Sequence, residues 1–357
     1  MMKNLMKNKN FKSNFITYSI VIAAFVIVSI LKSTGNLSSL FTGLLVPLCA
    51  YIILAVSLNL VVGISGELSI GHAGFMCIGA FTSAFFSKMC AGSMPDLLRF
   101  VLAIVIGAVL AGIFGVLIGI PVLRLKGDYL AIVTLAFGEI IKNFMNVLYI
   151  GRDSRGLHFS MTSEMDLGLE ADGEMLINGA QGITGTPKDS TFLIGFILVM
   201  ISLFIVLNLI QSRDGRAIMA IRDNRIAAES IGINISKYKL LAFSVSAMLA
   251  GAAGVLYSHN LNNLQATSKN FGYNMSIMFL VFVVLGGIGN IRGSIIAAVL
   301  LTLLPELLRG LSNYRMLIYA IVLILIMLFN WAPGCLQFRE KYSLKHFLQN
   351  KFKKEEI

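Results

Sequence analysis

Few residues in this chain could do chemistry, and their spacing limits what that chemistry can be. Glu139 and Lys142 stand three apart in FGEIIKN, and Glu306 follows Pro305, all within apolar runs. A three-residue step puts Glu139 and Lys142 on one helix face, where opposite charges can neutralise each other. An ionisable residue at membrane depth is also a candidate for a solute path or gate, and Glu139 is assigned to that path. His72 is the only histidine near the glycine-rich turn VVGISGELSIGHAG (61–74). A hydrogen-bonded structural histidine is preferred there to a proton relay.

Nothing in the chain cradles a phosphate, because no G-x-x-x-x-G-K-[ST] string occurs. GGIGNIRG (286–293) lacks the glycine spacing of a dinucleotide fingerprint and joins two apolar runs. H-E-x-x-H, G-x-S-x-G and paired-carboxylate patterns are missing too, so no catalytic residue is assigned and the chain is not expected to be an enzyme. Cys49, Cys77, Cys90 and Cys335 are scattered without a C-x-x-C pair. They support neither a disulfide framework nor a metal site and read as packing residues.

The elements that must position these groups are membrane helices. Apolar residues make up 57% of the chain and charged ones 13%, against about 25% charged in soluble domains. Spanning the bilayer takes about 20 apolar residues. Ten candidate spans lie near 15–31, 40–62, 71–87, 99–122, 129–150, 191–211, 241–258, 275–290, 294–309 and 316–331. The third and eighth are short and glycine-rich, consistent with broken or re-entrant spans. The fold class is therefore an all-α polytopic membrane protein, one transmembrane domain over 15–331 flanked by basic tails at 1–14 and 332–357. The first span reads as an uncleaved helix, since LKSTGNLSSL offers no small-residue cleavage site.

The net charge of +11 reports orientation rather than nucleic acid. With both termini inside, 19 Lys and Arg fall in inside segments and nine outside, as the positive-inside rule requires. The longest outer loop, 151–190, is net −4 and longer than structureless loops usually are unless they are functional. Gly107, Ala111, Gly115 and Gly119 recur every four residues, as do Ala247 with Gly251 and Ala250 with Gly254. Such stripes let helix backbones approach closely in lipid. Two inside turns, 61–74 and 284–294, share dense glycine, from a duplicated half or from composition alone. Glycine density permits irregular backbone, which at membrane depth must be buried or line a cavity. The translocation path is therefore placed at Gly63, Gly66, Glu67, Ser69, Gly71, His72 and Gly74, with Glu139 beside it.

One polar island, RDNRIAAESIGINISKYK (222–239), sits inside the loop 212–240 between two apolar spans. Residues 222–232 are expected to form a short helix, with Ala227, Ala228 and Ile231 on one face. Arg225 and Glu229 form an i,i+4 pair, and Gly232 is placed to end the helix with positive φ. So short a helix is marginal alone and calls for a docking partner, with an anionic-lipid anchor as the plainer reading.

The segment GRAIMAIRDNRIAAESIGINISKYKLLAFSVSAMLAGAAGVLYSH (215–259) resembles the cytoplasmic loop of ATP-binding-cassette importer permeases, and more closely the LivM-type permeases of branched-chain amino-acid importers. SLNLVVGISGELSIGHAGFMCIGAF (57–81), LKGDYLAIVTLAFGEIIKN (125–143), NGAQGITG (178–185) and FLVFVVLGGIGNIRGSIIAAVL (279–300) agree in order. The resemblance implies a ten-helix permease in a bacterial inner membrane, with a second permease subunit, two ATPase subunits that hold ATP and Mg, and an external binding protein. This chain itself would bind no cofactor. Arg216, Arg222, Asp223, Ala227, Ala228, Glu229, Ile231 and Gly232 would grip the ATPase. Related permeases carry urea, amides, sugars or nucleosides, and a stand-alone channel or carrier is the competing class. Gln181 stands where a small polar residue such as Asn is expected, and the acidic stretch 163–175 is unusual for the family.

Overall fold

A computed structural model describes residues 2–35, 38–125, 127–170, 172–311 and 314–331. The expected C-terminal tail 332–357, with Cys335, and Lys126 of the basic inside count lie outside the described residues. The helices in chain order are α1 (Met2–Ser33), α2 (Ser39–Asn59), α3 (His72–Met89), α4 (Asp96–Val122), α5 (Asp128–Val147), α6 (Phe192–Gln211), α7 (Arg213–Asp223), α8 (Arg225–Ser230), α9 (Ile235–Ser258), α10 (Tyr273–Gly286), α11 (Ile291–Leu307) and α12 (Arg315–Trp331). Every expected span falls on one of them. Seven are long and apolar enough to cross a membrane, including α1 from Asn14 onward. The helix α1 already begins at Met2, so the basic tail is helical and runs into the first span, which starts at Asn14.

The chain divides after Ala298 into two compact units. In the second, a 3-10 turn at Leu308–Leu311 follows α11. Arg309 pairs there with Glu306 at 2.9 Å, which accounts for the carboxylate after Pro305.

The first unit is organised around backbone contact. The α4 stripe meets Ala247 and Gly251 of α9, with α3 against the same helix. A Cβ on Gly251 would lie 2.4 Å from Ala111 Cβ and 2.7 Å from Gly107 O, and one on Gly79 of α3 would lie 2.2 Å from Gly251 O. These distances leave no room for a methyl group. Between membrane helices no hydrophobic effect drives association, so close packing of small residues supplies the attraction.

The segment 151–190 departs from an all-helical reading. Strands β1 (Tyr149–Asp153), β2 (Gly156–Ser160) and β3 (Glu174–Asn178) form an antiparallel sheet in the order β2-β1-β3, and β4 (Ile183–Thr184) pairs with β5 (Asn263–Leu264). Ile150, Leu176 and Ile177 are buried beneath the sheet, and Gly156 turns the hairpin at φ +132. Apolar runs of two or three residues, such as Met175–Ile177, are too short to announce strands in a search tuned to 20-residue apolar runs.

Gly251→Val should abolish recovery of a monodisperse protein in detergent. Gly43→Ala, where nothing lies within 4 Å, should be neutral or slightly stabilising, because alanine is the better helix former. Equal recovery of wild type and Gly251→Val would refute backbone contact as the basis of the α3–α4–α9 packing.

Candidate functional site

The glycine-rich turn is tightly constrained backbone. Leu60–Ser65 wind as a π-helical turn closed by Gly66 in the left-handed region at φ +74, a feature often found at functional sites. A Cβ on Gly63 would lie 1.9 Å from Asn59 Oδ1 and 2.3 Å from Gly289 N; one on Gly71 would lie 2.1 Å from Thr134 O. Thus the two turns singled out for their glycine, 61–74 and 284–294, touch each other. Buried Asn59 seals the contact, accepting a hydrogen bond from Gly289 N at 2.9 Å and donating to Ser294 Oγ at 2.8 Å.

The helix α3 starts well inside the bundle. His72 Nε2 and Ser57 Oγ are 2.7 Å apart, and Ser57 stands eight residues before Ser65. At 1.5 Å per residue, the start of α3 is about 12 Å back from the end of the continuous helix Ser39–Ser65. Here too begins α10, whose Ser276 Oγ accepts a hydrogen bond from Ala73 N at 3.1 Å. Two short helices thus bring their N-termini together at depth, where their partial positive charges add. Ser69 Oγ is buried nearby without a partner among the described residues. His72 is held as a buried hydrogen-bonded histidine, consistent with the structural reading.

Glu139 is committed on both sides. One oxygen pairs with Lys142, whose ammonium also donates to Ser268 Oγ at 3.1 Å, and the other accepts Tyr273 N at 2.8 Å. The carboxylate therefore caps α10 as well as neutralising Lys142. Its neighbour Gly138 faces Gly74, with 2.8 Å from a Cβ on Gly74 to Gly138 Cα, which brings Glu139 to the level of the α3 start.

The polar island differs from the expected single helix over 222–232. The helix α7 begins at Arg213, capped by Ser212 Oγ, which accepts Gly215 N at 3.0 Å. The break falls at Asn224, whose side chain accepts Ala227 N at 3.0 Å and starts α8. Asparagine competes with helical backbone bonding and so favours a cap over a helix interior. As expected, Gly232 takes positive φ, at +85, just beyond α8. The expected apolar face is not formed: Ala228 is buried against Ile221 and Ile235, while Ala227 and Ile231 point outward. Ile226, at 81% exposure, joins Ile231, at 75%, as the outward apolar pair. Among the described residues no ion pair joins Arg225 to Glu229, and Arg216 donates to Gln211 O at 2.9 Å.

Arg222 turns inward. Its guanidinium donates to Gly63 O at 2.9 Å and to Asp223 at 2.9 Å, and its stem lies against Gly66, where a Cβ would come 2.7 Å from Arg222 Cγ. At the other end of the island Lys239 forms a buried ion pair with Glu67. The sequence reading missed Lys239, and a lone lysine in a basic loop gave no signal. Both ends of the island hold the 63–67 turn.

At the opposite end of α3, Lys88 pairs with Glu174 at 3.3 Å and anchors the outer sheet. NGAQGITG closes that sheet, with Gly179, Gly182 and Gly185 all at positive φ. Phe159 on β2, and Met161 and Met165 in the segment that follows it, are exposed. Burial raises the Asp153 carboxyl, but hydrogen bonds from Arg155 N, His158 and the Arg155 side chain outweigh this and hold it at about 2.

Long apolar helices interrupted by irregular glycine-rich backbone define a polytopic membrane protein in which that backbone is buried or lines a path. Residues 40–328 match the model of the branched-chain amino acid transport system permease component family, and the chain belongs to that family. It is 36% identical over 298 residues, 79% of this chain, to the high-affinity branched-chain amino acid transport system permease protein LivM of Escherichia coli. That alignment covers 66% of LivM, so the chain spans just under two thirds of the relative's length. The ribose import permease RbsC of Haemophilus influenzae is 27% identical, with 77% of this chain and 80% of RbsC covered. The nucleoside permease NupC of Lactococcus lactis is 25% identical over 58% of this chain and 61% of its own. No solved structure matches the chain.

Glu67→Gln or Lys239→Met should each destabilise the protein by about 3 kcal/mol, because one buried charge is left unpaired. The exchanged pair Glu67→Lys with Lys239→Glu should recover most of the thermal midpoint in detergent; unchanged midpoints for the single variants would show that the pair contributes nothing. For Asp153 the folded pKa is depressed, so its contribution is complete above the ordinary carboxylate range near about 3.9 and lost as pH falls through about 2. Amide protection of 149–160 should persist at pH 4 and disappear near pH 2, and Asp153→Asn should remove that pH dependence.

Proposed function

We propose that this chain is the membrane subunit of an ATP-driven importer that moves branched-chain amino acids into the cytoplasm by alternating access. One observation carries the reading: α7 and α9 hold the glycine turn at two points, Arg222 on Gly63 O and Lys239 on Glu67. A peripheral segment bonded at both ends to the start of a broken span can transmit force from a partner to that span. In this reading α7 and α8 face the cytoplasm and dock in an ATPase subunit through Ile226 and Ile231. Two such ATPases hold ATP and Mg, while this chain hydrolyses nothing.

A second, related permease subunit completes the translocation path. The outer sheet, with exposed Phe159, Met161 and Met165, receives an external binding protein. The substrate assignment follows the name of LivM at 36% identity; the ribose permease, at 27%, supports another small polar solute less. The path runs where α3 and α10 meet, past Ser69, Gly71, His72 and Gly74, with Glu139 on its wall. Both chain termini lie in the cytoplasm and the protein resides in the inner membrane.

The test is reconstitution with the co-expressed partner subunits in proteoliposomes, following leucine uptake and ATP hydrolysis together. Ile226→Asp with Ile231→Asp should lose the ATPase subunits on purification. Gly66→Val should keep them, hydrolyse ATP and fall at least tenfold in uptake, because a side chain there displaces Arg222. Full uptake by both variants, or ATP turnover by this chain alone, would refute the importer reading.

A further inference from the structure

Within the first unit, the face shared by α5 and α10 exposes polar side chains deep inside the bundle. A Cβ on Gly71 would lie 2.1 Å from Thr134 O, and one on Gly74 would lie 2.8 Å from Gly138 Cα. Steps of three and four in the same sense show α3 and α5 running side by side in one direction. Five residues past the second contact, Asn143 comes about level with Gly79. Gly79 packs against α4, where a Cβ on Gly107 would lie 3.0 Å from Gly79 O. Gly107 is the twelfth residue of the 27-residue span Asp96–Val122. Asn143 therefore stands near the middle of the bilayer.

Asn143 is exposed at that depth, and so is Asn274 in the first turn of α10. The two flank Glu139. Asn143 follows it by one helical turn on the same face, about 6 Å along the axis. Asn274 is next in the chain to Tyr273, whose amide donates to Glu139 at 2.8 Å. Among the described residues, neither carboxamide has a side-chain hydrogen bond. Asn208 and Gln211, exposed carboxamides in another span, fall in the last turn of α6 instead.

An unbonded amide is costly in hydrocarbon, and polar groups at membrane depth face protein or water rather than lipid. The paired Glu139 and Lys142 add polarity to this face without net charge. A carboxamide offers its oxygen to an ammonium and its NH2 to a carboxylate. Two of them beside a cancelled ion pair match a solute that bears both charges.

We infer that Asn143 and Asn274 are specificity-determining residues of the path, hydrogen-bonding the ammonium and carboxylate groups common to amino acids. These roles rest on the importer reading proposed above and extend it in two ways. They put the selective wall on the α5–α10 face, and they make that wall indifferent to the solute's side chain.

The test uses the complete complex with its co-expressed partner subunits in proteoliposomes, read by thiol accessibility and by uptake. Asn143→Cys and Asn274→Cys should react with a charged methanethiosulfonate roughly tenfold faster than Ile113→Cys, because the reactive thiolate forms in water and not in lipid. Ile113 is an exposed apolar position on α4. Asn143→Ala and Asn274→Ala should each lower uptake of leucine and of valine alike by roughly tenfold, the worth of about one hydrogen bond. The complex should still purify intact, and the Gln variants, which keep the carboxamide, should recover most of the uptake. Ile140→Ala, an apolar neighbour on α5, should stay within about twofold of wild type.

Labelling of both cysteines as slow as that of Ile113→Cys puts lipid or protein on this face and overturns the inference. Loss of the second permease subunit from the alanine variants overturns it too, by making the carboxamides subunit contacts. Wild-type uptake by both alanine variants does the same, even where the cysteines label fast. A fall for leucine without one for valine overturns recognition of the common head group. Absence of ATP-driven uptake by the wild-type complex sinks the importer reading by itself, while labelling still decides whether the face is wet.

Discussion

At Gly63 two stretches of backbone pass within a distance that only glycine allows, and much of the site depends on that approach. A Cβ there would overlap Asn59 and Gly289. The amide of Asn59 uses both its oxygen and its nitrogen to hold the second turn in place. A buried amide left half-satisfied would cost more than it contributes, so the contact is whole or it is destabilising. Because the π-helical turn presents Gly63 O outward, Arg222 can donate to it. The same turn aims the chain back into the bundle, so that α3 begins at depth beside α10.

The three-helix packing of α3, α4 and α9 supplies the rigid frame for this turn. Its glycines and alanines bring backbones into contact, and such contacts yield little to small displacements, because close-packed interiors are stiff. The helix α9 belongs to that frame and also carries, near its start, Lys239, the partner of Glu67. In the proposed mechanism a force on α8 reaches the path twice, through Arg222 at the end of α7 and through Lys239 at the start of α9. The exposed pair Ile226 and Ile231 lies between those two grips.

Glu139 shows how a membrane-depth carboxylate can be both structural and well placed. Lys142 offsets its charge and the first amide of α10 donates to its second oxygen, so both oxygens are bonded within the protein. Its helix neighbour, Gly138, faces Gly74 at the start of α3. In the proposed mechanism, a solute moving past the meeting point of α3 and α10 would pass a carboxylate whose charge is already matched. Such a wall is better suited to a neutral or zwitterionic solute than to a coupling ion.

The sequence by itself determined the class of protein. Composition, ten apolar runs and the small-residue stripes required a helical membrane bundle, and each run became a helix. Glu139 with Lys142, and Gly232 at positive φ, were legible because each depends on residues three or four apart or on one backbone position. Only the tertiary structure decided that Arg222 turns inward, that Asn224 divides the island, and that Ile226 rather than Ala228 faces out. It alone paired Lys239 with Glu67 and Asn59 with Ser294, partners 172 and 235 residues apart. The physical reason is that local periodicity fixes which face of a helix is apolar, whereas lipid-soluble helices are apolar on nearly every face. Which helices become neighbours, and in what register, is then set by small-residue contacts and buried polar pairs formed across the whole chain.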